Sequence, residues 1–462
     1  MKSKLILMLA AICLTTAAFA QEKEPEEQYN QYGQRVTASP VEGTVQDGIL
    51  VFKSKDAKYK FWFDIRVQGD AAVYFGYDKN LVKIGNGVML RRTRFAVKAQ
   101  IDKNWYGELD TDWTSGTPEI KDAILAFNGV KGLEIKLGNF KENFSVQRNS
   151  TSRYLQFLER PMVTYLAPSR HLGLNVRYTL PYLWASAGVF GPELKGSEEM
   201  TTMEDGNKTL GLSEGLSYTG KLLAKPLFMM KDASLQVGGA FSWRDPKLTN
   251  TDGYNTARYS ARNSTAINRK KFLDTDAIAG VDHEIAWTVE AAGHWRGLRY
   301  EAAYISRSAY VRPDAPIQGV QTASGWYVQA GYLLCGGHQN YDSDGAKYTR
   351  ITQGKNWGDL ELCLRYETVD FNCSKYHMGG SAQAVAVGLN YYCTPNVKFM
   401  INYQYNMNDK YANGKGSDDG VDKGKYYTGY TADGVKTNIP SYIDGNKGIN
   451  YHMISARFQV AF

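Results

Sequence analysis

From Phe61 the chain alternates. Phe61, Phe63, Ile65, Val67, Gly69, Ala71, Val73 and Phe75 are apolar or small, and Trp62, Asp64, Arg66, Gln68, Asp70, Ala72 and Tyr74 lie between them. A period of two over fifteen residues predicts a long β-strand with one apolar and one polar face. A tilted membrane strand needs ~9–11 residues in the bilayer core and can project beyond it. The pattern returns at 91–101, with Thr93, Phe95, Val97, Ala99 and Ile101 on one face and Arg92, Arg94, Ala96, Lys98 and Gln100 on the other. At 105–113, Trp105, Leu109 and Trp113 stand against Tyr106, Glu108, Asp110 and Asp112. Further strands are predicted near 119–127, 133–140, 171–179, 182–190, 217–224, 234–244, 283–293, 297–308, 325–335, 360–370, 381–393, 396–408 and 448–462. The total is sixteen, an even number, as a closed barrel with both termini in the periplasm requires.

Connection lengths alternate too. Asp102-Lys103-Asn104, Leu180-Pro181 and Thr394-Pro395 are tight turns, while 141–170, 191–216, 245–282 and 409–447 are long and largely polar. Short periplasmic turns and long outer loops mark an outer-membrane barrel. One connection, 336–359, is long on the side expected to be periplasmic: either a strand is miscounted or that turn is elaborate. The strand at 448–462 puts Ile454, Ala456, Phe458, Val460 and Phe462 on one face, as expected of a strand that closes a barrel against the first.

The N-terminus fits export. Lys2 and Lys4 precede an apolar run from Leu5 to Ala18, and Ala18-Phe19-Ala20 offers a small-x-small cleavage site. Fourteen residues are too few for a spanning helix, which needs roughly 20. The division expected is therefore a signal peptide at 1–20, a polar periplasmic leader at 21–58 with a short strand at Ile49–Phe52, and an outer-membrane barrel at 59–462. The fold class expected is all-β, a transmembrane antiparallel β-barrel of about 16 strands, in the outer membrane of a Gram-negative bacterium.

Composition alone does not separate such a barrel from a soluble protein, because only alternate residues face lipid. It leans toward β: 32 Tyr and 45 Gly suit strands and aromatic girdles. Cys335, Cys363, Cys373 and Cys393 make neither a disulfide scaffold nor a zinc spacing, so no metal or cofactor is expected. Removing Lys2 and Lys4 from 54 basic residues leaves 52 against 47 acidic ones, too small an excess for a nucleic-acid partner.

Where the charges sit matters more. Sixteen strands enclose an aqueous lumen, so lumen-facing charge sets function. Alternation assigns Arg66, Arg92, Arg94, Lys98, Lys136 and Arg177 to the polar face, together with Glu108, Asp110 and Asp112. Between Lys141 and Arg177 stand Lys141, Arg148, Arg153, Arg160, Arg170, His171 and Arg177 against only Glu142 and Glu159. Folded into the lumen, these arginines would line a constriction suited to phosphate, since a guanidinium makes two parallel charge-assisted bonds to it. Left outside, the loop would meet lipopolysaccharide phosphates.

Several motifs resemble the phosphate-selective porin O/P family. Leu137-Gly138-Asn139-Phe140-Lys141-Glu142-Asn143-Phe144-Ser145 resembles its "G-x-F-K-E-P-F-S". Thr151-Ser152-Arg153-Tyr154-Leu155-Gln156-Phe157-Leu158-Glu159-Arg160-Pro161 resembles "S-S-R-x-L-x-F-M-E-R-S", and Leu166-Ala167-Pro168-Ser169-Arg170-His171-Leu172-Gly173 resembles "F-A-P-G-R-R-x-G". Leu90-Arg91-Arg92-Thr93-Arg94 resembles "L-R-R-A-R", Lys121-Asp122-Ala123 resembles "K-D-A-Y", and the stretch from Leu360 to Tyr366 is similar to "A-x-E-L-A-x-R-Y". Asn143, Pro161 and His171 depart from the pattern. The resemblance implies a homotrimer of sixteen-stranded barrels, an inward-folded third loop, and cations guiding small, phosphate-like anions. The pathway residues it carries over are Arg92, Arg94, Lys141, Arg153, Arg160 and Arg170, to which alternation adds Lys98.

Other functions weigh less. Gly211-Leu212-Ser213-Glu214-Gly215 matches G-x-S-x-G, but a polar loop precedes it and a predicted strand follows, the wrong setting for a nucleophile elbow, so no enzyme is expected. An unselective diffusion pore and a barrel adhesin acting through its long loops remain as alternatives.

Overall fold

The computed structural model describes residues 28–29, 32–36, 40–46, 48–77, 79, 82, 84–191, 194, 215–245, 248–249, 255–315, 318–373, 378–412, 426–430, 436–440 and 448–462. The expected signal peptide, residues 211–214 of the G-x-S-x-G match and much of loops 191–216 and 409–447 lie outside them.

Sixteen strands close one antiparallel barrel. They are β1 Lys60–Phe75, β2 Gly87–Ile101, β3 Trp105–Asp112, β4 Glu119–Phe127, β5 Leu133–Lys141, β6 Arg170–Thr179, β7 Leu183–Phe190 and β8 Ser217–Ala224. The second half holds β9 Ala233–Arg244, β10 Val281–Trp295, β11 Leu298–Val311, β12 Gln321–Leu333, β13 Asp359–Asn372, β14 Met378–Tyr392, β15 Val397–Asn408 and β16 Tyr451–Ala461. Every strand expected from the period of two is present. Closure runs from Phe75 opposite His452 to Arg66 opposite Ala461. Phe462 extends that ladder, its N–H donating to Ile65 O at 3.0 Å. Within the segment set apart as a leader, Val41–Gln46 and Ile49–Ser54 form a hairpin that pairs with the start of β1, Val51 lying opposite Trp62.

Alternation sorts the two faces. Val73, Phe75, Val97, Leu109 and Leu125 are exposed on the outside, where lipid tails satisfy them, while Asp64, Arg66, Gln68 and Asp70 are buried inside. Four register shifts interrupt the ladders of the described strands, and two of them, β-bulges in β2 and β4, bear on the lumen charge. Gln68 pairs with Arg92 and Gly69 with Leu90, so Arg91 is the extra residue of β2. Asp110 pairs with Asp122 and Thr111 with Ile120, so Lys121 is the extra residue of β4. A bulge re-aims a side chain. Here both turn a cation inward that strict alternation would set against lipid, where it costs about 2–4 kcal/mol at mid-membrane.

Chain from the connections fills one side of the lumen. Phe144, Met162, Val163 and Leu166, from the segment between β5 and β6, pack with Tyr259, Leu273 and Ile278 of the β9–β10 loop against wall residues Ile305, Tyr327, Val369 and Phe371. The long β12–β13 connection is an elaborate periplasmic turn, which leaves the strand count at sixteen. Its hairpin, Tyr341–Asp342 paired with Lys347–Tyr348, reaches into the barrel. There Tyr348 Oη donates to Tyr300 O at 2.6 Å, and Asp344 O accepts from Trp184 Nε1 at 2.8 Å. This apolar filling lies against β9 to β14, and a wide open space lies along β1 to β6.

Candidate functional site: a basic passage

The segment 142–169 crosses the lumen and is tied down mostly by its backbone. Val146 N–H donates to Glu290 Oε2 at 2.7 Å, Leu158 N–H to Asn402 Oδ1 at 2.9 Å, and Met162 N–H to Glu367 Oε2 at 2.5 Å. Its carbonyls accept in turn: Tyr154 O from Arg299 (2.8 Å), Leu155 O from Lys398 (2.8 Å) and Leu158 O from Arg457 (2.6 Å). Buried backbone groups need such partners, and the lumen-facing polar residues of β10 to β16 supply them. The loop is therefore inside the barrel, and the external, lipopolysaccharide-facing placement is excluded.

Both acids of the segment are spent on this anchoring. Glu142 Oε1 lies 2.6 Å from His171 Nδ1 and 2.8 Å from Arg244 Nη1. Burial alone would raise the Glu142 carboxyl, but Arg244 and His171 hold it down at about 2. Glu159 meets Arg91 at 2.6 Å, Arg457 at 3.2 Å and Arg92 at 3.6 Å. Neither carboxylate lines the open space. His171, one of the departures from the family pattern, is fully buried beside Glu142 and lies off the pathway as well.

What remains is a passage of about 530 Å³ between the segment and the wall β1 to β6. Its lining holds fourteen Lys or Arg against six Asp or Glu. All seven residues expected from the sequence, Arg92, Arg94, Lys98, Lys141, Arg153, Arg160 and Arg170, are among the lining residues. Most are oriented by carboxylates of the same wall: Arg94 by Asp110 (3.2 Å) and Asp112 (3.3 Å), Lys98 by Asp64 (2.9 Å), and Arg170 by both oxygens of Asp122. Arg153 also pairs with Asp64. Arg92 Nη1 donates to Gln68 Oε1 at 2.8 Å. Glu108, Asp110 and Asp122 place oxygens within 4.8 Å of one another, but Lys98, Arg94 and Arg170 take up their charge.

Lys141 and Arg160 differ from the rest. Lys141 Nζ donates to Ser150 O at 3.3 Å, and Arg160 donates to Gln147 O at 2.6 Å and Ser150 O at 2.7 Å. Neither pairs with a carboxylate among the described residues. Burial, then the neighbouring Arg148, pushes the Arg160 guanidinium down to about 9, still protonated at neutral pH.

The lining also includes cations that did not enter the expected set. Arg66, Lys136 and Arg177 follow from alternation alone. Arg91 and Lys121 depend on the bulges, for which a basic residue at a nominally lipid-facing position was the available signal. Lys347 comes from the periplasmic hairpin, and no local pattern marks it.

The sequence pattern of the phosphate-selective porin O and P family matches residues 61–427. The chain belongs to that family. Porin O of Pseudomonas aeruginosa is 22% identical over 426 residues, covering 83% of this chain and 94% of that protein. The anion-selective porin from Comamonas acidovorans superposes with a TM-score of 0.50 at 10% identity, covering 87% of this chain and all of that one. OmpT of Vibrio cholerae gives a TM-score of 0.48 at 11% identity, over 87% and 98%. The protein is thus a porin of the Gram-negative outer membrane, and the motifs "L-R-R" and "K-D-A" of the family resemblance fall on the bulges of β2 and β4.

Proposed function

We propose that this porin conducts small anions by passive diffusion, with phosphate or polyphosphate as the preferred class. The observation that carries the reading is the fourteen-to-six excess of cations around the passage, with both acids of the crossing segment turned elsewhere. A walled, low-dielectric passage strengthens that field over what the same charges would give in water. Lys141 and Arg160 favour phosphate, because donors that meet only carbonyls, with no carboxylate partner among the described residues, can turn to an oxyanion. The activity proposed is passage without catalysis.

We also propose assembly as a homotrimer in outer-membrane lipid, beside lipopolysaccharide. Its support is an outward hollow floored by Gly69, Ala71 and Ala456 and rimmed by Leu90, Phe399 and Phe458, which a neighbouring barrel would fill. Reversal potentials in a salt gradient across a planar bilayer test the conduction reading. An anion-selective potential is expected; a cation-selective or unselective one overturns it and favours a general diffusion pore. An unheated sample in a detergent gel should run as a trimer and shift on boiling.

A further inference from the structure

We propose that the porin carries a second small-anion site, facing the periplasm beside the passage, whose occupancy throttles conduction through Arg153. The inference rests on the anion-conducting reading for its consequence but not for the site itself.

A small cavity of about 30 Å³ lies between residues 349–353 of the β12–β13 turn and the tight turn Thr394-Pro395-Asn396. That is room for one small ion, since a single water needs about 10–15 Å³ on the same measure. Four cations line it, Arg153, Arg299, Arg350 and Lys398, and no Asp or Glu is among the lining residues. Both turns belong to the periplasmic end, so the ion would come from the periplasm.

Of these, Lys398 is the least compensated. Lys398 is 3% exposed, and its ammonium has one hydrogen bond, to Leu155 O, besides lying 4.7 Å from the Tyr392 ring. No carboxylate stands within ion-pair distance of it among the described residues. Arg299 is likewise 3% exposed; it stacks 3.6 Å from the Tyr348 ring and its Nη2 meets Glu301 Oε2 at 3.4 Å. Its Nε–H and that of Arg153 are buried and find no hydrogen-bond partner among the described residues. Glu361, behind Tyr392, is already engaged by Tyr392, Asn390, Gln156 and Gln339. Burying an ammonium and guanidiniums costs several kcal/mol each unless an anion meets them. An oxyanion in this cavity supplies Lys398 with the counter-charge it lacks, and the unpaired Nε–H groups of Arg153 and Arg299 with an acceptor.

Arg153 and Tyr154 line both this cavity and the passage. Arg153 currently answers Asp64 on the passage wall. An anion bound on the periplasmic side competes for that guanidinium and leaves Asp64 to Lys98 and Arg66, which draws on the cations that attract further anions into the passage. Such coupling between two sites is reciprocal and typically five- to 150-fold. Periplasmic anion would thereby slow its own entry.

The test uses full-length porin inserted with one orientation into a planar bilayer in potassium chloride. Inorganic phosphate is added to one side at a time. Periplasmic phosphate should lower the chloride current at concentrations at least fivefold below those needed externally. Lys398→Gln and Arg350→Gln should each remove that excess while keeping external block and the reversal potential of the unmodified porin. Arg350 sits on the turn, so its variant guards against a folding defect in the first. An absent sided excess, or one that persists in both variants, overturns the coupling. Crystals soaked in bromide should show an anomalous peak beside Lys398 and Arg299; a soak that labels the passage but leaves this cavity empty overturns the site. A cation-selective reversal potential with that peak present would instead reject only the conduction reading.

Discussion

Lys141 and Arg160 donate to the same oxygen, Ser150 O, at 3.3 and 2.7 Å. Two basic groups meeting on one neutral carbonyl leave positive charge that no carboxylate among the described residues pairs with, and the passage opens beside it. Phosphate arriving there exchanges water for charge-assisted bonds worth about 1.5–3 kcal/mol each. Arg160→Gln should therefore weaken phosphate block of chloride current about tenfold or more. Lys98→Gln should cost less, because Lys98 already serves Asp64 and Glu108. The check is the phosphate concentration that halves single-channel current; equal, small effects from the two variants would deny Lys141 and Arg160 their special place.

Glu159 pins the crossing segment to two walls, through Arg91 and Arg92 on β2 and Arg457 on β16. Breaking a buried pair from one side strands the other charge, at a cost of about 3–5 kcal/mol. Glu159→Gln should lower the temperature of the gel-mobility shift and add flicker to the open current. The pH dependence follows in sign. Burial would raise this carboxyl, but Arg91, Arg92 and Arg457 hold it well below its ordinary 4.5. Its contribution is thus full above 4.5 and is lost only as pH falls toward the much lower folded value. The shift temperature should stay flat from neutral pH to pH ~5 and drop in stronger acid, and the drop should be smaller in Glu159→Gln.

The strands were legible because a membrane barrel enforces alternation at every one of them. Arg92, Arg94 and Lys98 were legible because a basic residue on the polar face of a barrel strand points into the lumen, whereas Arg153 and Arg160, between β5 and β6, came from the basic run and the family resemblance. Two things were not. The inward path of residues 142–169 depends on Glu290, Glu367, Asn402 and Arg457, more than a hundred residues away, and no local pattern carries that information. The division of labour between acids was equally hidden: Glu142 and Glu159 look like partners for the basic run, yet they anchor the segment to the walls.

The bulge at Arg91 makes a sharper test of how the wall is built. Removing one of the adjacent arginines, Arg91 or Arg92, shortens β2 by the unpaired residue and restores a simple ladder with Leu90 opposite Gly69. Barrel assembly should survive, with the gel shift retained, while the Glu159 anchor and phosphate block weaken. Removing Phe95 instead should abolish assembly, since a one-residue slip turns the rest of the strand's apolar set inward and its arginine and lysine toward lipid. Assembly lost equally in both deletions would mean that the bulge is required by the fold rather than by the passage.

Ionic strength separates a field-driven passage from one that selects by contact alone. The Debye length is about 10 Å at 0.1 M salt and 3 Å at 1 M. Exposed charges set wide apart lose their influence over that range, whereas groups as buried as Arg92 and Arg153, each about 5–6% exposed, are screened much less. The preference for chloride over potassium should accordingly fall between 0.1 and 1 M without vanishing, because the buried cations keep acting at short range. Arg160→Gln should lose the residual preference at high salt more than the long-range part at low salt. Permeability ratios from reversal potentials at several concentrations give both parts. A preference that disappears completely at 1 M would place selectivity in the mouth of the barrel and not in the wall between β1 and β6.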